Sequence, residues 1–191
     1  EPEEIKAVCI ASVVPSLDYS VNAACIKYLN CQPIQLNKQS KTGLFLKIDE
    51  PEALGADRIA NAVAGTQYFP GKNLIIIDFG TATTICAISA KKEYLGGAIM
   101  PGINTAMQSL YQQTAKLAPV EIIKQGQALG KTTQQHIQAG LYLSQLGGLR
   151  EITQRLQQQA FGREKALILA SGGYAYLFEQ EQLFDKFIPD L

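Results

Sequence analysis

Residues 73–77 are a continuous run, Asn-Leu-Ile-Ile-Ile, that ends at Asp78, turns through Phe79-Gly80-Thr81 and resumes as a second apolar run over 83–89. Runs of this length and β-branched composition, joined by so short a turn, predict a buried hairpin with a carboxylate at the end of its first strand. A buried hairpin needs layers to cover it. The chain has 191 residues, 47% of them apolar, enough to build the core of one ordinary domain or two small ones.

The flanking segments predict those layers. Residues 5–14 form an apolar run stopped by Pro15, which suits a buried strand, and 16–28 reads as a helix. From Asp57 onward, Ile59, Ala60, Val63 and Ala64 recur at helical spacing, and Pro70-Gly71 closes that unit as the best domain boundary in the chain. A third strand is expected over 94–100. A helix carrying Ile103, Met107, Leu110, Thr114 and Leu117 follows, then a longer one over 133–159 with Ile137, Leu141, Leu149, Ile152 and Leu156 turned inward. One more strand over 166–170 runs into Ser171-Gly172-Gly173 and a short helix through Phe178. Three strands in succession, two helices and a further strand predict an α/β fold with a mixed sheet rather than a simple alternating unit.

Several function classes are disfavoured. Seventeen basic and seventeen acidic residues cancel, and no basic stripe of a nucleic-acid binder is visible. The longest apolar stretches are strand-sized, far below the roughly 20 residues of a membrane span. The acidic start, Glu-Pro-Glu-Glu, is unlike an export signal, so a cytoplasmic protein is expected. Cys9, Cys25, Cys31 and Cys86 show no C-x-x-C spacing and read as reduced thiols, with Cys9 and Cys86 expected in the core. Three glycine-rich or catalytic patterns also fail on inspection. Gly126 to Gly130 followed by Lys131-Thr132 has three residues between its glycines where a phosphate-wrapping Walker loop needs four. Asp78-Phe79-Gly80 lacks the upstream catalytic loop of a protein kinase. His136, the single histidine, has no nucleophile elbow to serve and reads as structural or surface.

Three clusters remain. In Asp78-Phe79-Gly80-Thr81-Ala82-Thr83-Thr84, a glycine and three threonine hydroxyls can surround phosphate oxygens while the carboxylate holds a cation, or the segment is an ordinary Gly-Thr hairpin. Gly55-Ala56-Asp57-Arg58 opens a helix. Its carboxylate is placed near the positive helix end and its guanidinium can reach an anion, or Asp57 is simply a cap beside a surface arginine. Gly172-Gly173 permits close backbone approach by a flat ligand such as adenine, or merely turns the chain.

In this order and together, these residues resemble type III pantothenate kinase, of the acetate-kinase, sugar-kinase, Hsp70 and actin superfamily. The matching segments are Ser12-Val13-Val14-Pro15, Gly55-Ala56-Asp57-Arg58, Asp78 through Thr84, Gly96-Gly97-Ala98-Ile99-Met100-Pro101-Gly102, Gly130 through Thr133 with Gly140, and Ser171-Gly172-Gly173. The resemblance implies an α/β protein of duplicated ribonuclease-H-like (actin-like ATPase) domains, with 1–70 the remnant of the first and 71–191 the second. The family's Asp-x-Gly-Asn-Thr phosphate loop is not among these residues, so the first domain is expected to be N-terminally truncated in this chain, and a last strand is expected beyond Leu191.

The implied activity is transfer of the ATP γ-phosphoryl group to pantothenate, giving 4′-phosphopantothenate in the first step of coenzyme A synthesis, by a cytoplasmic homodimer that binds neither nucleic acid nor membrane. Asp57 is implied as general base and Gly55, Ala56, Asp57, Arg58 and Thr133 as pantothenate contacts. Gly80, Thr81, Thr83, Gly172 and Gly173 are implied for ATP, and Asp78 for a monovalent cation, potassium or ammonium, in addition to Mg²⁺. Ile48 stands where the family often has a tyrosine that contacts pantothenate. The alternative of another class is a catalytically silent ATP-binding regulator of the Bvg accessory factor kind.

Overall fold

A computed structural model describes residues 4–37, 39–114 and 117–191. In chain order its elements are β1 (Cys9–Ile10), α1 (Pro15–Leu29), β2 (Ile34–Gln35), β3 (Phe45–Leu46), α2 (Ala56–Tyr68), β4 (Leu74–Phe79), β5 (Ala82–Ile88), β6 (Glu93–Pro101), α3 (Ile103–Gln113), α4 (Thr133–Leu156), β7 (Leu167–Gly172) and β8 (Lys186–Phe187). A π turn over Gln157–Phe161 ends α4, and a 3-10 segment over Ala175–Glu181 follows β7.

The expected hairpin lies at the centre. β4 pairs antiparallel with β5 and β5 with β6, while β7 adds to the other edge of β4 in parallel. The six-stranded order is β3-β6-β5-β4-β7-β8, a mixed sheet, and β1 and β2 form a separate parallel pair. Side chains of β4 alternate between two cores, as strand geometry requires. Ile75, Ile77 and Phe79 join Met107, Leu141, Leu149 and Phe178 on the face covered by α3 and α4. Leu74 and Ile76 join Ile59, Ala62, Cys86 and Tyr94 on the face covered by α2. Burial on both faces is why residues 74–77 are apolar throughout instead of alternating. β3 and α2 both precede Pro70-Gly71 yet pack on this sheet, so residues from either side of that turn share one core.

Outer elements depart from expectation. The strand over 5–14 shrinks to Cys9–Ile10, Cys9 is exposed, and Val13 and Val14 stand about half exposed. The pairing of β1 with β2 has only two rungs, which is too little backbone to bury the whole run. α3 stops at Gln113 because Thr114 turns extended, and Thr114 Oγ1 donates to Leu110 O (2.7 Å), so Leu117 reaches the core from a loop.

That loop is pinned by Glu181. It accepts Tyr142 Oη (2.8 Å) and pairs with Lys124 Nζ (3.0 Å) and Arg150 Nη2 (3.2 Å). The hydrogen bond from Tyr142 and the two cations hold its carboxyl below the usual glutamate range.

Candidate active site

Asp78, the penultimate residue of β4, lies opposite Thr84 of β5 and Ser171 of β7, and the sheet alternation puts all three on the face beneath α2. Asn61 of α2 reaches down, and its Nδ2 donates to Asp78 Oδ2 (2.8 Å). Burial raises the Asp78 carboxyl above its ordinary range. The Asn61 hydrogen bond opposes that shift, and the negative charge of Asp57 adds to it. Among the described residues no lysine or arginine pairs with Asp78. The other carboxylate oxygen lies against Gly172, where a Cβ would stand 2.7 Å from Oδ1 and 2.7 Å from Phe79 O. Gly172 also has φ +88°, so both the backbone and the close approach require glycine there.

The start of α2 supplies the second carboxylate. Gly55 is the N-cap with extended backbone, and Asp57 Oδ1 accepts Arg58 N (2.8 Å), so the charge sits at the positive end of the helix as the sequence predicts. A Cβ on Gly55 would overlap Asp57 Oδ1 and come 3.2 Å from Val13 Cγ1, which places the Ser12 to Pro15 segment beside this turn. Arg58 Nη2 donates to Ala53 O (3.3 Å), and its charge also acts on Cys86 and Tyr94. Tyr94 Oη donates to Cys86 Sγ (3.0 Å), and burial pushes both the phenol and the thiol up. Ile48, Arg58, Cys86, Tyr94 and residues 96–99 line a small cavity of about 140 Å³.

The turn after β4 forms the third wall. Gly80 and Thr81 are exposed, and Thr81 O accepts both Gly102 N (3.0 Å) and Thr105 Oγ1 (2.6 Å). This ties the turn to the first turn of α3. A Cβ on Gly102 would stand 2.6 Å from Thr81 O, so the two backbones touch through a residue that must lack a side chain. A Cβ on Gly173 would meet nothing within 4 Å.

Two expected contacts lie elsewhere. Thr83 pairs with Phe79, so it points to the α3–α4 core and is 1% exposed. The three threonine hydroxyls therefore do not converge, and Thr84 is the one that shares a face with Asp78. Thr133, the first residue of α4, is exposed on the opposite side of the sheet from Asp57. It lines a wide apolar groove of about 720 Å³ with Pro101, Thr105, Leu110 and Gly140. Strand register and helix placement decide these directions, and neither is written in a motif. Asn61 and Tyr94 were not singled out from sequence, although Asn61 follows Asp57 by four residues and so shares its helical face.

Two carboxylates, an exposed Gly-Thr turn and an open glycine at one end of a sheet suit phosphoryl transfer, which proteins catalyse by positioning and charge more than by covalent chemistry. The profile of type III pantothenate kinase matches residues 1–155. A type III pantothenate kinase 1 of Francisella tularensis subsp. holarctica (strain OSU18) is 54% identical over 189 residues, covering 99% of this chain and 74% of that protein. A type III pantothenate kinase of Legionella pneumophila (strain Corby) is 51% identical over 190 residues, covering 100% of this chain and 74% of that protein. A solved structure from Campylobacter jejuni, described as a conserved Baf family transcriptional activator, shares the fold, with a TM-score of 0.62 at 18% identity over 97% of this chain and 77% of that one. The chain belongs to the type III pantothenate kinase family.

Proposed function

We propose that this protein transfers the γ-phosphoryl group of ATP to the hydroxyl of pantothenate, the first step of coenzyme A synthesis. The observation that carries the reading is the convergence of Asp57 and Asp78 on one face of the sheet, with Asn61 bonded to Asp78 and residues 80–81 and 172–173 at the same end. Asp57 accepts the proton of the attacking hydroxyl, and a carboxylate within reach of that proton is what general-base catalysis needs. Gly55, Ala56 and Arg58 hold pantothenate, with the Arg58 guanidinium taking an anionic group. Gly80, Thr81, Gly172 and Gly173 receive the nucleotide, with Gly80 and Thr81 exposed at the turn and open space at Gly173; Thr83 supports that turn from within the core.

The Asp78 site fits a monovalent cation. A largely buried carboxylate with a second carboxylate nearby, one oxygen free of donors and no basic partner among the described residues is costly without a positive neighbour. A bound potassium or ammonium ion would supply that charge beside the phosphates, with Mg²⁺ accompanying ATP. We divide the chain into 1–70, the remnant of a first ribonuclease-H-like domain, and 71–191, a second, with β3 and α2 as the elements of the first that pack on the second's sheet. We place the subunit contact of a homodimer at the α3–α4 groove, where Thr133 would serve a partner's pocket, and the enzyme in the cytoplasm. No helix among the described residues is long and apolar enough to cross a membrane. A silent regulator has no use for Asp57, Arg58 and Asp78 gathered in this way.

The full-length protein, given ATP, Mg²⁺ and pantothenate, is expected to form 4′-phosphopantothenate, faster in potassium or ammonium than in sodium, and to sediment as a dimer at micromolar concentration. Absence of pantothenate-dependent ADP release would overturn the kinase reading. Equal rates in sodium and potassium would overturn the cation assignment alone, and a stable monomer the dimer.

A further inference from the structure

We propose that Asn61 is a positioning residue, which fixes the Asp78 carboxylate so that one oxygen is held by α2 and the other is presented to the nucleotide end of the site. The inference rests on the roles given above to Asp57 and Asp78. Asn61 makes the one hydrogen bond to the Asp78 carboxylate among the described residues. A neighbour that could replace it, Ser171, is engaged elsewhere. Ser171 Oγ, on the same face, donates to Pro189 O (3.2 Å) and accepts Leu191 N (3.4 Å). The two oxygens of Asp78 are thereby made different: Oδ2 is taken by the amide, while Oδ1 faces Gly172 with no donor among the described residues.

The residue type matters as much as the contact. An amide donates without charge, so the space between Asp57 and Asp78 keeps its negative potential and its demand for a cation. A lysine or arginine in the same place would satisfy that demand from within the protein. Asn61 also lies one turn beyond Asp57 on α2, so the same hydrogen bond fastens the turn that carries the base to the end of the central strand. Partners of this kind set the orientation of a cation ligand, and their loss typically weakens ion affinity or activity by about 10- to 100-fold.

The test is Asn61→Ala in the full-length protein, beside Asn61→Gln, which keeps the amide but moves it by one methylene. Both residues are good helix formers, so α2 is not weakened by propensity. Two quantities are read: the potassium concentration for half-maximal turnover, and the potassium dependence of equilibrium binding of a fluorescent, non-hydrolysable ATP analogue. Asn61→Ala is expected to raise the half-effective potassium concentration about 10- to 100-fold in both measurements, with the pantothenate KM nearly unchanged. Asn61→Gln is expected to fall between it and the wild type. A purely structural asparagine would lower the melting temperature and leave the potassium constants of the folded protein at their wild-type values. That result in folded Asn61→Ala overturns the proposal while the kinase and cation readings stand. A wild type indifferent to potassium in both measurements overturns the cation reading, and this proposal with it.

Discussion

Asp57→Asn is expected to lower turnover on pantothenate about 10²- to 10⁴-fold in the full-length protein, with nucleotide binding and melting temperature nearly unchanged. A loss of that size corresponds to roughly 3–5 kcal/mol of transition-state stabilisation. The helix start would survive, because Asp57 Oδ1 accepts the Arg58 amide and an asparagine oxygen can accept the same bond. What the amide cannot do is take a proton from the attacking hydroxyl. The substitution also removes the repulsion from Asp78 together with the attraction to the helix start, two effects of opposite sign on stability. Steady-state kinetics beside thermal melts separate the two roles. Wild-type turnover in this variant would leave Asp57 only its structural part in the first turn of α2.

The largest expected loss of stability comes from Phe178→Ala, about 3–5 kcal/mol. Phe178 has no exposed surface and is stacked between Phe79 (5.3 Å between ring centroids) and Tyr142 (5.2 Å). Its removal leaves a void between two rings that are themselves held, Phe79 by the central strand and Tyr142 by its bond to Glu181, so the site has little freedom to collapse. Against a total of about 5–15 kcal/mol for an ordinary domain, this is a large fraction. Denaturant titration measures it directly. A cost under about 1 kcal/mol would mean that the rings relax into the gap. Because Phe79 adjoins Asp78, the loosened stack is also expected to raise the KM for ATP.

The parts of this fold that were legible in the sequence are those whose pattern is local. The β4–β5 hairpin, the start of α2 at Gly55-Ala56 and the long α4 each carry periodicity or turn chemistry that no tertiary contact needs to explain. β3 and β8, two residues each, exist only because the edges of β6 and β7 recruit them, and nothing in Phe45–Leu46 or Lys186–Phe187 announces that. The threonines show the same limit at the site. Composition placed Thr81, Thr83 and Thr84 near a phosphate, but a strand alternates, and only its register with Phe79 and Asp78 says that Thr83 faces the core and Thr84 the carboxylate. Thr133 lies far from Asp57 within one chain because α4 covers the other face of the sheet. Asn61 was within reach of sequence reasoning, at one helical turn from Asp57, but its partner is on another element.

The strand order has a consequence for how the chain reaches this state. β4, β5 and β6 are sequential neighbours joined by tight turns, so their pairing closes short loops and costs little chain entropy. The parallel pairing of β4 with β7 joins Leu74 to Leu167 and must wait for α3, α4 and all that connects them. Asp78 and its turn are therefore set early, within a local meander, whereas Gly172, which fixes the far side of the same carboxylate, arrives with the slowest closure. Until it does, the nascent protein carries a finished hairpin turn on an unfinished sheet edge, a ready template for a neighbouring chain. The interval before β7 docks is when this protein is most exposed to misassembly during synthesis.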